Sequence, residues 1–412
     1  MVVDRMISID EARARVLAET APLPAEVRRL ETTFGYVLAE DVVSSLNVPP
    51  FDNSAMDGFA VFAADVVDAG PESPVAMVLE GTIPAGHIAD RALNRGAVAK
   101  IMTGAPIPPG ANAVVQSELA LEEDGRVLIY QAAKPGANVR RAAEDVAVGD
   151  RVLLAGALLG PAEIGVLASL GLAELRVHRR PRVAVLSTGS ELVEVDQPLA
   201  PGKIRNSNGY ALQAYCQQAG AEVTRLGIAP DDYDSTLRMV EQGLSYDVLI
   251  TSGGVSVGEF DFVKNVQDAL GVERRLWGVA MKPGKPLVFG VRGGTLVFGL
   301  PGNPVSALVS FELFVKPALL RLMGHKRVVK PLYKAIVEEE VLSKDSRTYV
   351  VRVRAWREAD RWHVSSTGPQ GSGILRSMVG ANGLIFVPGA PKVVRAGQEV
   401  DFLLLREDLK EA

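Results

Sequence analysis

From residue 182 to residue 323, short apolar runs of strand length alternate with segments of helical texture, and this alternation limits the fold more than any other feature of the chain. The runs 182–186, 222–226, 248–251, 287–289 and 296–299 carry the strand pattern; 210–219, 234–243 and 305–323 carry the helical one. Strands and helices in this order predict a mostly parallel sheet with helices on both faces. Ligands of such sheets bind outside the carboxyl ends of the strands, so the residues directly after each run are the first place to look for chemistry.

The flanking segments differ in texture. Residues 9–18 and 25–39 carry apolar residues at helix spacing, interrupted by Pro22 and Pro24. From Asn47 to about Gly149, short runs at 59–62, 75–79, 113–116 and 127–130 are separated by Gly and Pro clusters and predict a β-rich insert. Helical texture returns through 161–171, and short strands are expected at 349–353, 362–366, 384–387 and 400–404. A chain of 412 residues exceeds what one core organises. The resulting division is a discontinuous helical domain (1–46 plus 150–178), a β-rich insert (47–149), an α/β domain (179–326) and a small C-terminal β domain (327–412).

Charge and composition exclude several classes. A net charge of −5 provides no broad basic surface for nucleic acid. The apolar stretch 152–175 contains Pro161 and Glu163, which argues against a membrane span. Asp4 and Arg5 stand where a secretory signal needs an apolar core, and the one cysteine, Cys216, permits no internal disulfide framework, so a cytoplasmic setting is expected. Four histidines without ligand spacing argue against a zinc site.

The strand ends are rich in hydroxyls, glycines and carboxylates. They lead into Ser187-Thr188-Gly189-Ser190-Glu191, Asp231-Asp232, Ser252-Gly253-Gly254-Val255-Ser256-Val257-Gly258 and Pro301-Gly302-Asn303-Pro304, the last opening a helix. Backbone N–H groups of a glycine-rich loop and of a helix end hold phosphates and other oxyanions. A Gly-Gly pair taken alone more often makes a plain tight turn, and the bland alternative for the Pro-Gly-Asn-Pro turn is a simple cap. Lys282 and Lys285 flank a stiff Pro283-Gly284 turn suited to neutralising an anion, with solvated surface lysines as the bland alternative. Asp57, Glu191, Asp231 and Asp261 are the candidate oxygen ligands for Mg²⁺, Asp261 standing best because it lies just after the glycine-rich loop.

Taken in order, these segments resemble the MoeA family of molybdopterin molybdenumtransferases, whose eukaryotic counterpart is the E domain of gephyrin. The resemblance runs over nearly the full length. It rests on Pro49-Pro50-Phe51-Asp52-Asn53-Ser54-Ala55-Met56-Asp57-Gly58, Ile101-Met102-Thr103-Gly104-Ala105-Pro106, Gly136-Ala137-Asn138-Val139-Arg140 and Glu144-Asp145, together with the strand-end loops, Lys282 to Lys285, and Gln370-Gly371-Ser372-Gly373. It implies a multidomain α/β and β fold: a doubly wound MoeA/MogA-type α/β domain, a discontinuous helical domain with a β-rich insert, and a C-terminal β-barrel, assembled as a homodimer. The implied active cleft lies between the α/β domain of one subunit and the insert of its partner, so Asp57 and Thr103 would act in trans. By the same resemblance Asp57, Thr103, Glu191, Asp261, Lys282 and Lys285 serve turnover, with Glu191 and Asp261 at Mg²⁺. Ser187, Thr188, Ser252, Gly253, Gly254, Ser256, Asp231, Pro301, Asn303, Arg352 and Ser372 would hold the pterin ligand.

The implied reaction is Mg²⁺-dependent release of AMP from adenylyl-molybdopterin with transfer of molybdate to the dithiolene; an adenylyltransferase and apo-molybdoenzymes are the implied protein partners. Two other readings share parts of the pattern: a molybdopterin adenylyltransferase, and a molybdopterin-binding scaffold without catalysis. The insert and C-terminal domain weigh against the first, and the presence of Lys282, Lys285 and Asp261 against the second. The chain departs from the family where Ser190 and Asn112 stand in place of a common Asp and Ala143 in place of a common Gly.

Overall fold

A computed structural model of the chain describes residues 6–254, 262–389 and 392–406. Helix Ile9–Ala18 forms where expected, capped by Ser8, whose Oγ accepts the Glu11 N–H at 3.1 Å, and with Asp10 and Glu11 in its first turn. Its buried stripe of Ile9, Ala12 and Val16 packs into the core of the α/β sheet, so this helix sits with residues 179–326 and not with 150–178. The helical pattern over 25–39 does not become a helix. Ala25–Arg29 is a strand paired antiparallel with Glu174–His178, followed by a 3₁₀ turn at Leu30–Thr32 and a left-handed Gly35. The returning strand supplies backbone partners that outweigh a weak local helix preference. Residues 36–46 and 146–177 share one core around Tyr36, Leu38, Leu159, Leu167 and Val177.

The insert is a six-stranded sheet in the order Ala113–Gln116, Gly58–Val61, Ala97–Ile101, Val75–Ile83, Arg126–Ile129, Ala120–Glu123. Alternate residues feed cores on its two faces: Phe59, Val61 and Val115 on one side, Ala60, Val114 and Ile101 on the other. Asn112 is a structural residue here, its Oδ1 accepting the Ala63 N–H at 2.8 Å. An Asp at this position could accept the same bond.

The α/β domain has the expected character. Its sheet runs Glu222–Ala229, Arg182–Thr188, Val248–Ser252, Thr295–Leu300, Val288–Arg292, Glu273–Trp277; the first four strands are parallel, Val288–Arg292 runs antiparallel to them, and Glu273–Trp277 antiparallel to Val288–Arg292. The edge strand Glu273–Trp277 has no counterpart among the runs read from the sequence. Helix Ser207–Gln218 and the 304–322 helix cover one face, and Tyr233–Gly243 with Phe262–Ala269 the other. The 304–322 helix is interrupted by a π turn at Phe311–Val315 just before Pro317, which has no N–H to give the regular ladder. Arg179 grips Asp247 with two hydrogen bonds of 2.6 Å, fixing the entry into the first parallel strand.

In the C-terminal region Thr348–Glu358, Arg361–Ser366, Leu332–Val337, Glu399–Leu404 and Gly383–Val387 close on themselves as a five-stranded barrel. It is joined to the α/β domain by Met281–Lys282, which pairs in parallel with Thr348 and Tyr349.

Ala143, where the family commonly has Gly, lies at φ +62°. A left-handed backbone costs an L-residue about 1–2 kcal/mol, whereas glycine's extra unfolded-state entropy costs about 0.5–1 kcal/mol. Ala143→Gly is therefore expected to raise unfolding free energy by about 0.5–1 kcal/mol, checked by denaturant titration; a destabilised variant would refute the strain argument.

Candidate active site

The site begins where three parallel strands end in one row: Ser187 pairs with Ser252, and Ser252 with Leu300. The chain after Ser252 must then pass directly over its neighbour. Gly253 adopts φ +95°, and a Cβ there would lie 2.6 Å from the Thr188 carbonyl oxygen, so only glycine fits. Its N–H donates to Leu300 O at 3.0 Å. Between these ends, the Pro301-Gly302 turn and the start of helix Ser207–Gln218 lies a cleft of about 780 Å³.

The structure divides the hydroxyl groups read from the sequence. Ser187 is buried and donates to Asn206 Oδ1 at 2.8 Å; Asn206 caps its helix by accepting the Gly209 N–H at 3.0 Å. Thr188 lines the cleft, but its hydroxyl turns to the Ser252 carbonyl at 3.4 Å. Both therefore hold strand ends together. Ser252 lines the cleft as expected, and its Oγ accepts from Asn208 Nδ2 at 2.8 Å, leaving the hydroxyl hydrogen available. Asn206 and Asn208 were missed in the sequence, although Asn-Ser-Asn ahead of a helical run is a cap signal.

Glu191 and Asp231 also line the cleft. Asp231 Oδ2 accepts the Ser190 N–H at 2.9 Å while its own N–H donates to Ser190 Oγ at 3.0 Å. Ser190 thus braces Asp231 without adding a charge of its own. No described hydrogen bond or ion pair uses the Glu191 carboxylate. Among the described residues no three acidic, histidine or cysteine side chains form a metal cluster. Two cleft carboxylates nevertheless suit Mg²⁺, which is held by one or two carboxylates, waters and ligand phosphates. Ser256 and Asp261 lie outside the described residues.

Pro301 and Asn303 also line the cleft, beside the Ser252–Gly253 strand end. Asn303 is the cap residue by position, but its side chain makes no capping bond. The Val305 N–H is instead taken by the Ser372 carbonyl at 3.0 Å. Arg352 does not face the cleft: it is fully buried, its Nε donates to Ser377 Oγ at 3.0 Å, and its remaining nitrogens reach the carbonyls of Pro369, Gln370 and Gly371 at 3.2–3.4 Å. Burial without a carboxylate partner pulls its guanidinium down to about 10. Arg352 and Ser372 therefore act on the loop that closes the cleft, which next contributes Gly373 to the lining.

Lys282 and Lys285 are exposed on a turn whose Gly284 has φ +104°. Neither lines the cleft, though the adjacent Pro286 does. Lys282 Nζ lies 3.4 Å from the Tyr349 hydroxyl and over its ring, and that hydroxyl donates to Asp345 at 3.2 Å. Asp57 and Thr103 stand apart on the insert. The Thr103 N–H and hydroxyl both donate to Asp57 Oδ1 at 2.7 Å, and these two bonds, the backbone one first, hold the carboxyl below its ordinary range.

Comparison with known proteins decides the family. Residues 7–171 match the MoeA N-terminal region (domain I and II), 184–321 the probable molybdopterin binding domain, and 334–405 the MoeA C-terminal region (domain IV). The chain belongs to the MoeA family. A relative named molybdopterin molybdenumtransferase from Staphylococcus aureus is 35% identical over 414 residues, covering 100% of this chain and 99% of its own. Its counterpart from Staphylococcus epidermidis is 35% identical over 399 residues, with 97% and 95% covered. The crystal structure of the molybdopterin biosynthesis MoeA protein from Pyrococcus horikoshii superposes with a TM-score of 0.84 at 33% identity, over 98% of this chain and 100% of that one. Membership in the MoeA family accounts for the domain succession and for the doubly wound core.

Thr103→Val keeps the larger, backbone contribution to Asp57 and removes the hydroxyl. The Asp57 carboxyl is therefore expected to titrate between its wild-type position and the ordinary carboxylate value, read by ¹³C NMR. A depressed carboxylate stabilises the fold above the ordinary carboxylate pKa, near 3.9, and loses that contribution as pH falls through the depressed value. The variant should thus lose less stability than wild type on acidification in that window; an unmoved titration would remove the hydroxyl from the account.

Proposed function

We propose that this chain is a molybdenum insertase: it binds adenylyl-molybdopterin at the strand-end cleft, releases AMP in a Mg²⁺-dependent step and transfers molybdate to the dithiolene. Family membership makes it a molybdotransferase of molybdenum-cofactor biosynthesis. The observation that carries the finer reading is the row Ser187–Ser252–Leu300, whose three loops turn a hydroxyl and glycine backbone toward one cleft flanked by two carboxylates. Such a wall offers N–H and O–H donors to phosphate oxygens.

In this reading the Ser252 hydroxyl and the Gly254 backbone bind phosphate, Gly253 lets the chain turn there with its own N–H spent on Leu300, and the Pro301-Gly302-Asn303 turn fixes the orientation of the phosphate. Glu191, with Asp261, would hold Mg²⁺, which when bound supplies positive charge against the phosphoanhydride. Lys282 and Lys285 neutralise the leaving phosphate or the incoming molybdate, a bare dianion that needs charge compensation. Asp57 of the partner subunit, kept ionised by its Thr103 bonds, completes the cleft in a homodimer. Neither Asp57 nor Thr103 lines the cleft of its own chain, which supports assignment to a neighbour's site.

The first test is AMP release from adenylyl-molybdopterin by purified protein with Mg²⁺, comparing no oxyanion, molybdate and tungstate. Oxyanion-dependent release followed by reconstitution of an apo-molybdoenzyme is expected; tight binding without release would favour a scaffold. Lys282→Ala or Lys285→Ala should weaken oxyanion binding by on the order of 1–3 kcal/mol, more at low salt, and unchanged affinity would return them to the solvated surface. In a mixture of Asp57→Ala and Lys282→Ala chains, half the dimers are mixed and each keeps one intact site, so about a quarter of wild-type activity should return. Verified mixed dimers without recovery would end the shared-site reading.

A further inference from the structure

Asn208, the second residue of helix Ser207–Gln218, lines the cleft between the glycine-rich loop and the Pro301-Gly302 turn. Its Nδ2 donates twice, to Ser252 Oγ at 2.8 Å and to the Gly302 carbonyl at 2.7 Å. The second bond fixes the amide orientation, since a carbonyl oxygen can only accept and a flipped amide would set two acceptors against each other. Its Oδ1 is then buried and without a partner among the described residues. A buried amide oxygen left unpaired is costly, and this one belongs to a residue of the cleft.

We propose that Asn208 is a specificity residue whose Oδ1 accepts a hydrogen bond from the bound ligand, so that the cleft selects an oxyanion carrying an N–H or O–H donor within reach. The inference rests on reading the cleft as a phosphate-ligand site. One side chain then performs two tasks. Nδ2 ties the Ser252 hydroxyl to the Gly302 carbonyl, just beyond the last pairing of their two strands, and Ser252, its oxygen engaged, turns its hydrogen to the anion. Oδ1 interrogates what the anion is attached to. A site built to accept a donor discriminates strongly against ligands that lack one, because the acceptor is then left unpaired. A nucleotide's ribose hydroxyls and a pterin's ring N–H both satisfy it; a bare oxyanion does not.

The test compares wild type with Asn208→Ala and Asn208→Asp, using sulfate, which carries no donor, and AMP and molybdopterin, which do. Melting temperatures establish that each variant is folded, and either variant suffices alone. Asn208→Ala should lose about 10-fold more affinity for AMP and molybdopterin than for sulfate. Asn208→Asp keeps an acceptor but loses both Nδ2 bonds and adds a negative charge, so all three ligands should weaken while the preference for donor-bearing ones survives; loss of that preference would overturn the assignment. Equal losses for all three ligands in Asn208→Ala would overturn the assignment and leave only the Ser252–Gly302 tie; no loss would overturn it by placing the partner of Oδ1 within the protein. Wild-type protein that binds AMP but not molybdopterin would overturn the molybdopterin reading and leave the Asn208 comparison intact.

Discussion

Parallel pairing across Ser187, Ser252 and Leu300 is the constraint from which the site follows. Parallel strands deliver all their loops to the same edge, and three loops starting in one row must diverge at once. That crowding explains Gly253 against the Thr188 carbonyl, and it explains why the Ser187 and Thr188 hydroxyls are turned to neighbouring chain and not to ligand. What remains for chemistry is what crowding leaves over: the Ser252 hydroxyl, glycine backbone, and the carboxylates of Glu191 and Asp231 further out on the wall.

The second constraint comes from the barrel. Arg352 is buried without a carboxylate, an arrangement that is costly unless several oxygens surround the guanidinium. Here three successive backbone carbonyls and a serine hydroxyl do so. The charge is thereby converted into shape, because those carbonyls can converge on one guanidinium only if the 369–371 loop is tightly wound. Ser372 then reaches Val305 at the start of the long helix.

Local pattern made some of this legible and long-range contact hid the rest. Helix Ile9–Ala18 could be read because Ser8, the acidic first turn and the Ile9, Ala12, Val16 stripe all agree; the 25–39 pattern could not, because its outcome depends on a strand some 150 residues later. The parallel sheet was readable from its buried strands, while the Glu273–Trp277 edge, rich in charge, was not. Glycine-rich and proline-rich turns announced the cleft. Which polar groups are consumed inside the fold was invisible: Ser187 seemed a ligand residue until Asn206 took its hydrogen, and Asn208 carried no sign that it would meet both Ser252 and Gly302. Asp57 and Thr103, 46 residues apart, were linked beforehand only through resemblance.

The two-residue strand Met281–Lys282 hydrogen-bonds to the barrel, not to the sheet whose domain it belongs to. A gene fusion or truncation that exchanged the barrel would therefore not swap an accessory module. It would remove the partner that sets the angle of the Lys282-Pro283-Gly284-Lys285 turn, together with the carbonyl that covers Val305. The unit that can be inherited or transplanted intact is the α/β domain together with helix Ile9–Ala18 and the barrel, and chains that carry the α/β domain alone must orient any equivalent cations by some other means.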